Sequence, residues 1–150
     1  MIQTGSATIF LQDGSEIPGE QLNEMMANSS IRYLFGSPFP IQFFYNAHCG
    51  SCQPAIEYLN ELSLKNPDIG IEYHDLNNST ENSTLFAQYS ITFNRTHVHY
   101  PVIFLGNVGI TGSDDIIAYT EPLSLWYHKN ENPDLLTGLF AWITAFLQGK

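Results

Sequence analysis

The chain has 150 residues, 43% of them hydrophobic and 13% aromatic, enough to build the core of one domain. Only 13% are charged, and the formal net charge is −10. Five Lys and Arg in all argue against nucleic acid as a partner and against docking on an anionic membrane surface, since both need clustered cations.

Ala7-Thr8-Ile9-Phe10-Leu11 alternates and is rich in β-branched and aromatic residues, so it reads as a first strand, closed by Asp13-Gly14. Pro18 to Asn28 sets Leu22, Met25 and Met26 at helical spacing, and Ile31 to Pro38 is a connection. Pro40 to Asn46 is apolar on both faces, as a strand covered on both sides must be. Cys49-Gly50-Ser51-Cys52 follows and opens a helix, Gln53 to Lys65, with Ile56, Leu59, Leu62 and Leu64 as its apolar positions. Asn66-Pro67-Asp68 breaks that helix. Ile69 to Leu76 reads as a third strand, and Glu81 to Ser90 as a short helix using Leu85, Phe86 and Tyr89. Tyr100-Pro101-Val102-Ile103-Phe104-Leu105 is the next strand, turned by Gly106-Asn107 into a hairpin with Val108-Gly109-Ile110. Ser113 is placed to cap the following helix, with Asp114 and Asp115 complementing its dipole. A further helix is expected from about Tyr119 to Asp134, and Leu135, Leu139, Trp142, Ile143, Phe146 and Leu147 form an apolar face beyond it.

The order β-α-β-α-β-α-β-β-α predicts an α/β fold. The expected sheet is mixed, with about five strands, three of them parallel, plus a terminal antiparallel hairpin. It is flanked by helices and followed by an additional C-terminal helix. We expect one domain over residues 1–150, its core at about 7–120 and a helical extension at about 121–150. No apolar run is long enough to span a bilayer.

Cys49 and Cys52 are the only cysteines, two residues apart at a strand-to-helix junction. A sulfur at a helix N-terminus faces unpaired N–H groups and the positive end of the helix dipole, which favour the thiolate. Cys49 is therefore the expected nucleophile and Cys52 the resolving thiol, one turn on. His48, just before the nucleophile, would stabilise the thiolate as an imidazolium or accept protons as a neutral base. An alternative uses the same sulfurs with His97 and His99 as a zinc or copper site, both histidines sharing one face of an extended strand. The carboxylates show no paired catalytic spacing. No phosphate-binding glycine loop or Ser-His-Asp set is present, and no cofactor is expected.

Asn-x-Ser/Thr sequons stand at Asn28, Asn77, Asn78, Asn82 and Asn94, against about two expected from composition. With the low Lys content they predict an extracytoplasmic setting: periplasmic, cell-surface or lumenal. Met1 to Gly5 has neither the basic nor the apolar region of a secretory leader, as in a mature form or excised domain.

The unit Phe43-Phe44-Tyr45-Asn46-Ala47-His48-Cys49-Gly50-Ser51-Cys52, together with Tyr100-Pro101-Val102-Ile103-Phe104-Leu105-Gly106-Asn107, resembles the thioredoxin-like superfamily over roughly residues 7 to 120. The resemblance implies thiol–disulfide exchange with protein substrates. It also implies a cis-proline at Pro101 facing the cysteines, with Tyr100-Pro101 as the floor of a site that pairs with an extended substrate. Gly50 and Ser51 would tune the redox poise. Three positions depart from the pattern. Phe43 stands where many thioredoxins carry a buried acid, His48 where they have Trp, and Ser51 where they have Pro. Relatives of this pattern are extracytoplasmic domains, some working beside membrane proteins that pass electrons across the bilayer, which makes such a protein an expected partner.

Overall fold

The computed structural model describes residues 8–28 and 38–132. The apolar face expected from Leu135 to Leu147 lies outside the described residues. Strand β1 (Thr8–Leu11) turns through Asp13 and Gly14 into a two-residue strand β2 (Glu16–Ile17), and α1 (Gly19–Ala27) follows. Strand β3 (Ile41–Tyr45) leads into a 3₁₀ turn at Gly50–Cys52 and directly into α2 (Gln53–Lys65). Then come β4 (Ile71–Asp75), α3 (Thr80–Thr92), β5 (Val102–Leu105), β6 (Val108–Thr111) and α4 (Ser113–Asn132).

The α/β class predicted from the sequence is the one observed, with six strands where about five were expected. They lie in the order β2-β1-β6-β5-β3-β4. Only β3 and β4 pair in parallel, with Phe43 across from Tyr73 and Tyr45 across from Asp75. β5 is antiparallel to both β3 and β6. The expected parallel trio is corrected at β1. That strand pairs antiparallel with β6, Ile9 opposite Ile110, at the far side of the sheet from β4. The β1–β2 hairpin was missed because its second strand is only two residues long.

Alternating side chains divide the core between the two faces. Ile9, Phe43, Ile103, Leu105 and Ile110 join Leu59 and Leu62 of α2 and Ile116, Leu123 and Tyr127 of α4. Phe10, Phe44, Val102 and Phe104 point the other way, against Leu85, Phe86 and Tyr89 of α3 and Phe93 just after it. α4 runs unbroken to Asn132 in place of the second helix expected near Tyr119, with Pro122 on its exposed side. α4 is tied to α2 by the Tyr58 hydroxyl, which accepts from Glu121 N at 3.2 Å, and to α1 by Trp126 Nε1, which donates to Met26 O at 2.8 Å. Among the described residues no helix is long and apolar enough to cross a membrane.

Candidate functional site

The Cys49–Cys52 turn sits at the carboxyl ends of β3 and β4, where side chains and backbone ends of an open α/β sheet are free to meet a ligand. Cys49 has extended backbone angles (φ −91°, ψ 115°) and stands immediately before the 3₁₀ turn, whose last residue, Cys52, precedes α2. The helix head expected from sequence is thus a 3₁₀ turn running into an α-helix. Cys49 N donates to Asn46 O at 2.9 Å, and Cys52 N donates to Cys49 O at 3.1 Å. The segment before Cys49 is held by Asn46 Oδ1 accepting from His48 N at 2.8 Å and by Gln53 Nε2 donating to Ala47 O at 3.3 Å.

Both thiols are free, Cys49 partly exposed and Cys52 fully buried. Their environments push them apart. Burial disfavours the Cys49 thiolate, yet hydrogen bonds from the Cys52 and Ser51 side chains and backbone outweigh it and leave Cys49 below its ordinary value. The Ser51 hydroxyl lies 3.1 Å from Cys49 Sγ. Cys52 is pushed up to about 12, first by burial, then by its hydrogen bond to Cys49 and by the nearby negative charges of Cys49 and Asp75. The thiolate is thus favoured at Cys49 and disfavoured at Cys52.

The other residues singled out from sequence fall as follows. His48 is exposed beside the nucleophile. A Cβ added at Gly50 would meet nothing within 4 Å, so the turn does not require glycine there for space. The Tyr100–Pro101 peptide is cis. The β3–β5 register, Phe44 opposite Val102, brings Pro101 to the cysteine end of the sheet, buried, with Tyr100 exposed beside it. Pro101 O accepts from Gly112 N at 2.8 Å.

Three contributors were not read from the sequence. Ser113 was expected to cap its own helix. Its hydroxyl instead donates to Ser51 O at 2.6 Å and accepts from Ala55 N at 3.2 Å, pinning the reactive turn to α4. Asn46 ties the approach to Cys49. Asp75, at the end of β4, accepts from Ala47 N. Phe43, the position without an acid, is fully buried. The carboxylate whose charge reaches Cys52 is instead Asp75, on the adjacent strand and two register positions further along. A strand-end Asp before a polar loop was its only sequence signal.

The metal alternative does not assemble. Among the described residues no group of three or more His, Cys, Asp or Glu is placed to hold an ion. Residues 94–100 form a loop rather than the strand that would have aligned the two histidines. His97 and His99 line a cavity of about 440 Å³ with Arg95, Glu16, Thr8 and Thr111, and neither cysteine reaches it.

The fold and the site together define an α/β protein with two free thiols, Cys49 and Cys52, at a turn that leads into α2. No protein-family model matches the chain, and no curated protein matches it. Among solved structures it is similar to thioredoxin O2 from Arabidopsis thaliana in its oxidised state. The identity is 17%, covering 72% of this chain and 88% of that one, with a TM-score of 0.44.

Proposed function

We propose that the protein is a thiol–disulfide oxidoreductase of thioredoxin-like type, exchanging disulfides with protein substrates through Cys49 and Cys52. One observation carries the reading: two thiols in one turn, Cys49 partly exposed and held toward the thiolate, Cys52 buried and held toward the thiol. A thiolate attacks a disulfide sulfur, and a second thiol close in the chain resolves the mixed disulfide. Exposed Tyr100 beside Pro101 offers an apolar contact for an extended substrate segment. Lowering Cys49 stabilises the reduced form and so moves the couple in the oxidising direction; we expect a potential intermediate between the reducing level of about −270 mV and the strongly oxidising level of about −120 mV.

The setting proposed is extracytoplasmic, with a membrane electron-transfer protein as redox partner. The sequon asparagines support it unequally. Asn78 is exposed at a turn, whereas the side-chain amides of Asn82 and Asn94 are engaged by the carbonyls of Asp75 and Gln12.

The test is reduction of insulin by a small dithiol, with and without the protein. Cys49→Ser is expected to remove the acceleration. Cys52→Ser is expected to accumulate a mixed disulfide that sodium dodecyl sulfate gels resolve. Equal rates for wild type and Cys49→Ser would sink the proposal.

A further inference from the structure

Asp75 closes β4 directly across from Tyr45, the last residue of β3. Tyr73, two residues earlier and on the same face, donates its hydroxyl to Asn60 Oδ1 of α2 at 2.7 Å, so Asp75 lies on the cysteine-bearing side of the sheet. Its Oδ1 accepts from Ala47 N at 3.1 Å and from Asn77 N at 3.0 Å. One carboxylate oxygen thereby fastens the end of β4 to the segment that delivers Cys49, and also closes the turn that follows. An asparagine could accept the same two bonds. The charge is therefore not needed for the clamp, and its consequence must be sought in what it faces.

We propose that Asp75 is a positioning residue for the dithiol: its oxygen holds the Asn46–His48 approach in place, and its charge at the end of β4 disfavours further negative charge on the turn. The proposal rests on the dithiol reading above. Nearby negative charges repel, so a fixed carboxylate adds to the larger effect of burial in disfavouring ionisation at the Cys52 sulfur. The same carboxylate disfavours ionisation of Tyr45, its cross-strand neighbour, after the larger effect of burial. The titratable groups on the elements joined to it are Tyr45 across on β3, Tyr73 on β4, His48 on the approach next to Ala47, and Cys49 and Cys52 on the turn that follows; Asp114 and Asp115 follow Ser113, which binds that turn from α4. His74 faces the opposite side, with Nε2 2.7 Å from Gln42 Oε1.

The chemistry this orders is balanced in two steps. The Cys49 thiolate attacks one sulfur of the substrate disulfide. A Cys49–substrate bond forms, the substrate bond breaks, and the released thiolate takes a proton from water. Cys52 then gives its proton to water and attacks Cys49 Sγ, closing the Cys49–Cys52 disulfide and releasing the second substrate thiolate. The dithiol loses two electrons and the substrate gains them. Asp75 acts on the second step, by delaying the ionisation of Cys52.

Asp75→Asn keeps the oxygen and removes the charge, whereas Asp75→Ala removes both. With ¹³C-labelled cysteines, nuclear magnetic resonance titration of the reduced protein should show the Cys52 midpoint lower in Asp75→Asn. Resolution of the mixed disulfide near neutral pH should become about two- to tenfold faster. Asp75→Ala should also slow the first attack by Cys49. An unmoved Cys52 titration in folded Asp75→Asn overturns the proposal. Should that variant not fold, the wild type still decides: with ¹³C-labelled aspartate, the Asp75 carboxyl carbon must show an inflection where Cys52 titrates, and a flat trace overturns it. Failure of the wild type to accelerate insulin reduction would sink the dithiol reading alone, because both titrations remain readable without substrate.

Discussion

On the α2 side of the sheet the core is largely aliphatic, with Ile9, Ile41, Ile103, Leu105 and Ile110 beneath Leu59 and Leu62. On the α3 side it is aromatic. Phe44 stacks on Phe86 at 5.1 Å, Tyr89 on Phe104 at 4.9 Å, and Phe10 meets Phe93 edge-on at 5.8 Å. The helices differ accordingly. α2 buries Ala55, Leu59 and Leu62 completely or nearly so, while no residue of α3 is fully buried. α3 is held by large rings that each reach far from a half-exposed backbone, a large apolar payload per contact. The cysteines belong to the aliphatic side, because α2 begins where their turn ends and α4 locks that turn through Ser113. If the dithiol is the working site, the division predicts that stability and reactivity are separable by face.

The largest expected effect tests that division on the aromatic side. Phe44 is fully buried and touches Phe86, Tyr89, Phe104 and His74. Phe44→Ala should cost about 3–5 kcal/mol in urea unfolding. It should leave the Cys49 titration of the folded protein where it was. On the other face, Leu59→Ala should cost about 2–5 kcal/mol and also disturb the thiols, since Leu59 anchors the helix that Cys52 leads. Equal displacement of the thiol titrations by both variants would erase the distinction between the faces.

Much of this division can be read in the sequence, and the reasons for the rest are physical. Ile9-Phe10 and Phe43-Phe44 already send one side chain to each face, and the Cys49–Cys52 spacing marks the turn between β3 and α2. Strand pairing was not legible in the same way. β1 has a clear alternation, but nothing in residues 8–11 says that their partner is β6, 97 or more residues away. The same holds for the site. Asp75 reaches Ala47 across 28 positions and Ser113 reaches Ser51 across 62, so each looked like a local feature: a strand-end acid and a helix cap. His97 and His99 mislead in the opposite sense. Their spacing suggests a shared strand face, but the chain there is a loop, where alternation fixes nothing.

A smaller effect is expected at Gly109, where the aromatic face meets β6. Phe10 pairs with Gly109 across the β1–β6 ladder, and its buried ring occupies the place of a side chain. A Cβ added there would fall 2.3 Å from the ring. Gly109→Ala must therefore displace Phe10 and should cost about 1–3 kcal/mol, the usual range for overpacking. Thermal unfolding reads it. Activity should survive in the folded fraction, since the strain enters on the face away from the cysteines. A loss of activity larger than the loss of folded protein would show the two faces to be mechanically coupled.

The mildest test separates the two sulfurs by pH. In the folded reduced protein Cys52 is raised from 9.0 to about 12, first by burial, so the folded state holds this proton more tightly than the unfolded chain does. The unfolded chain then releases it at lower pH, and stability contributed by Cys52 falls as pH rises from about 9 toward about 12. Cys49 has the opposite sign. Its folded value is lowered, so its contribution is lost as pH falls through that value and is complete above the unfolded one. Reduced protein should therefore lose stability on the alkaline side with the slope of one proton beyond that of the oxidised form, which has neither thiol to titrate. Urea unfolding of both forms between pH 8 and pH 11 measures the difference. Parallel curves for the two forms would mean that the buried sulfur is no better protected than the exposed one. That would place Cys52 in an environment as open as that of Cys49.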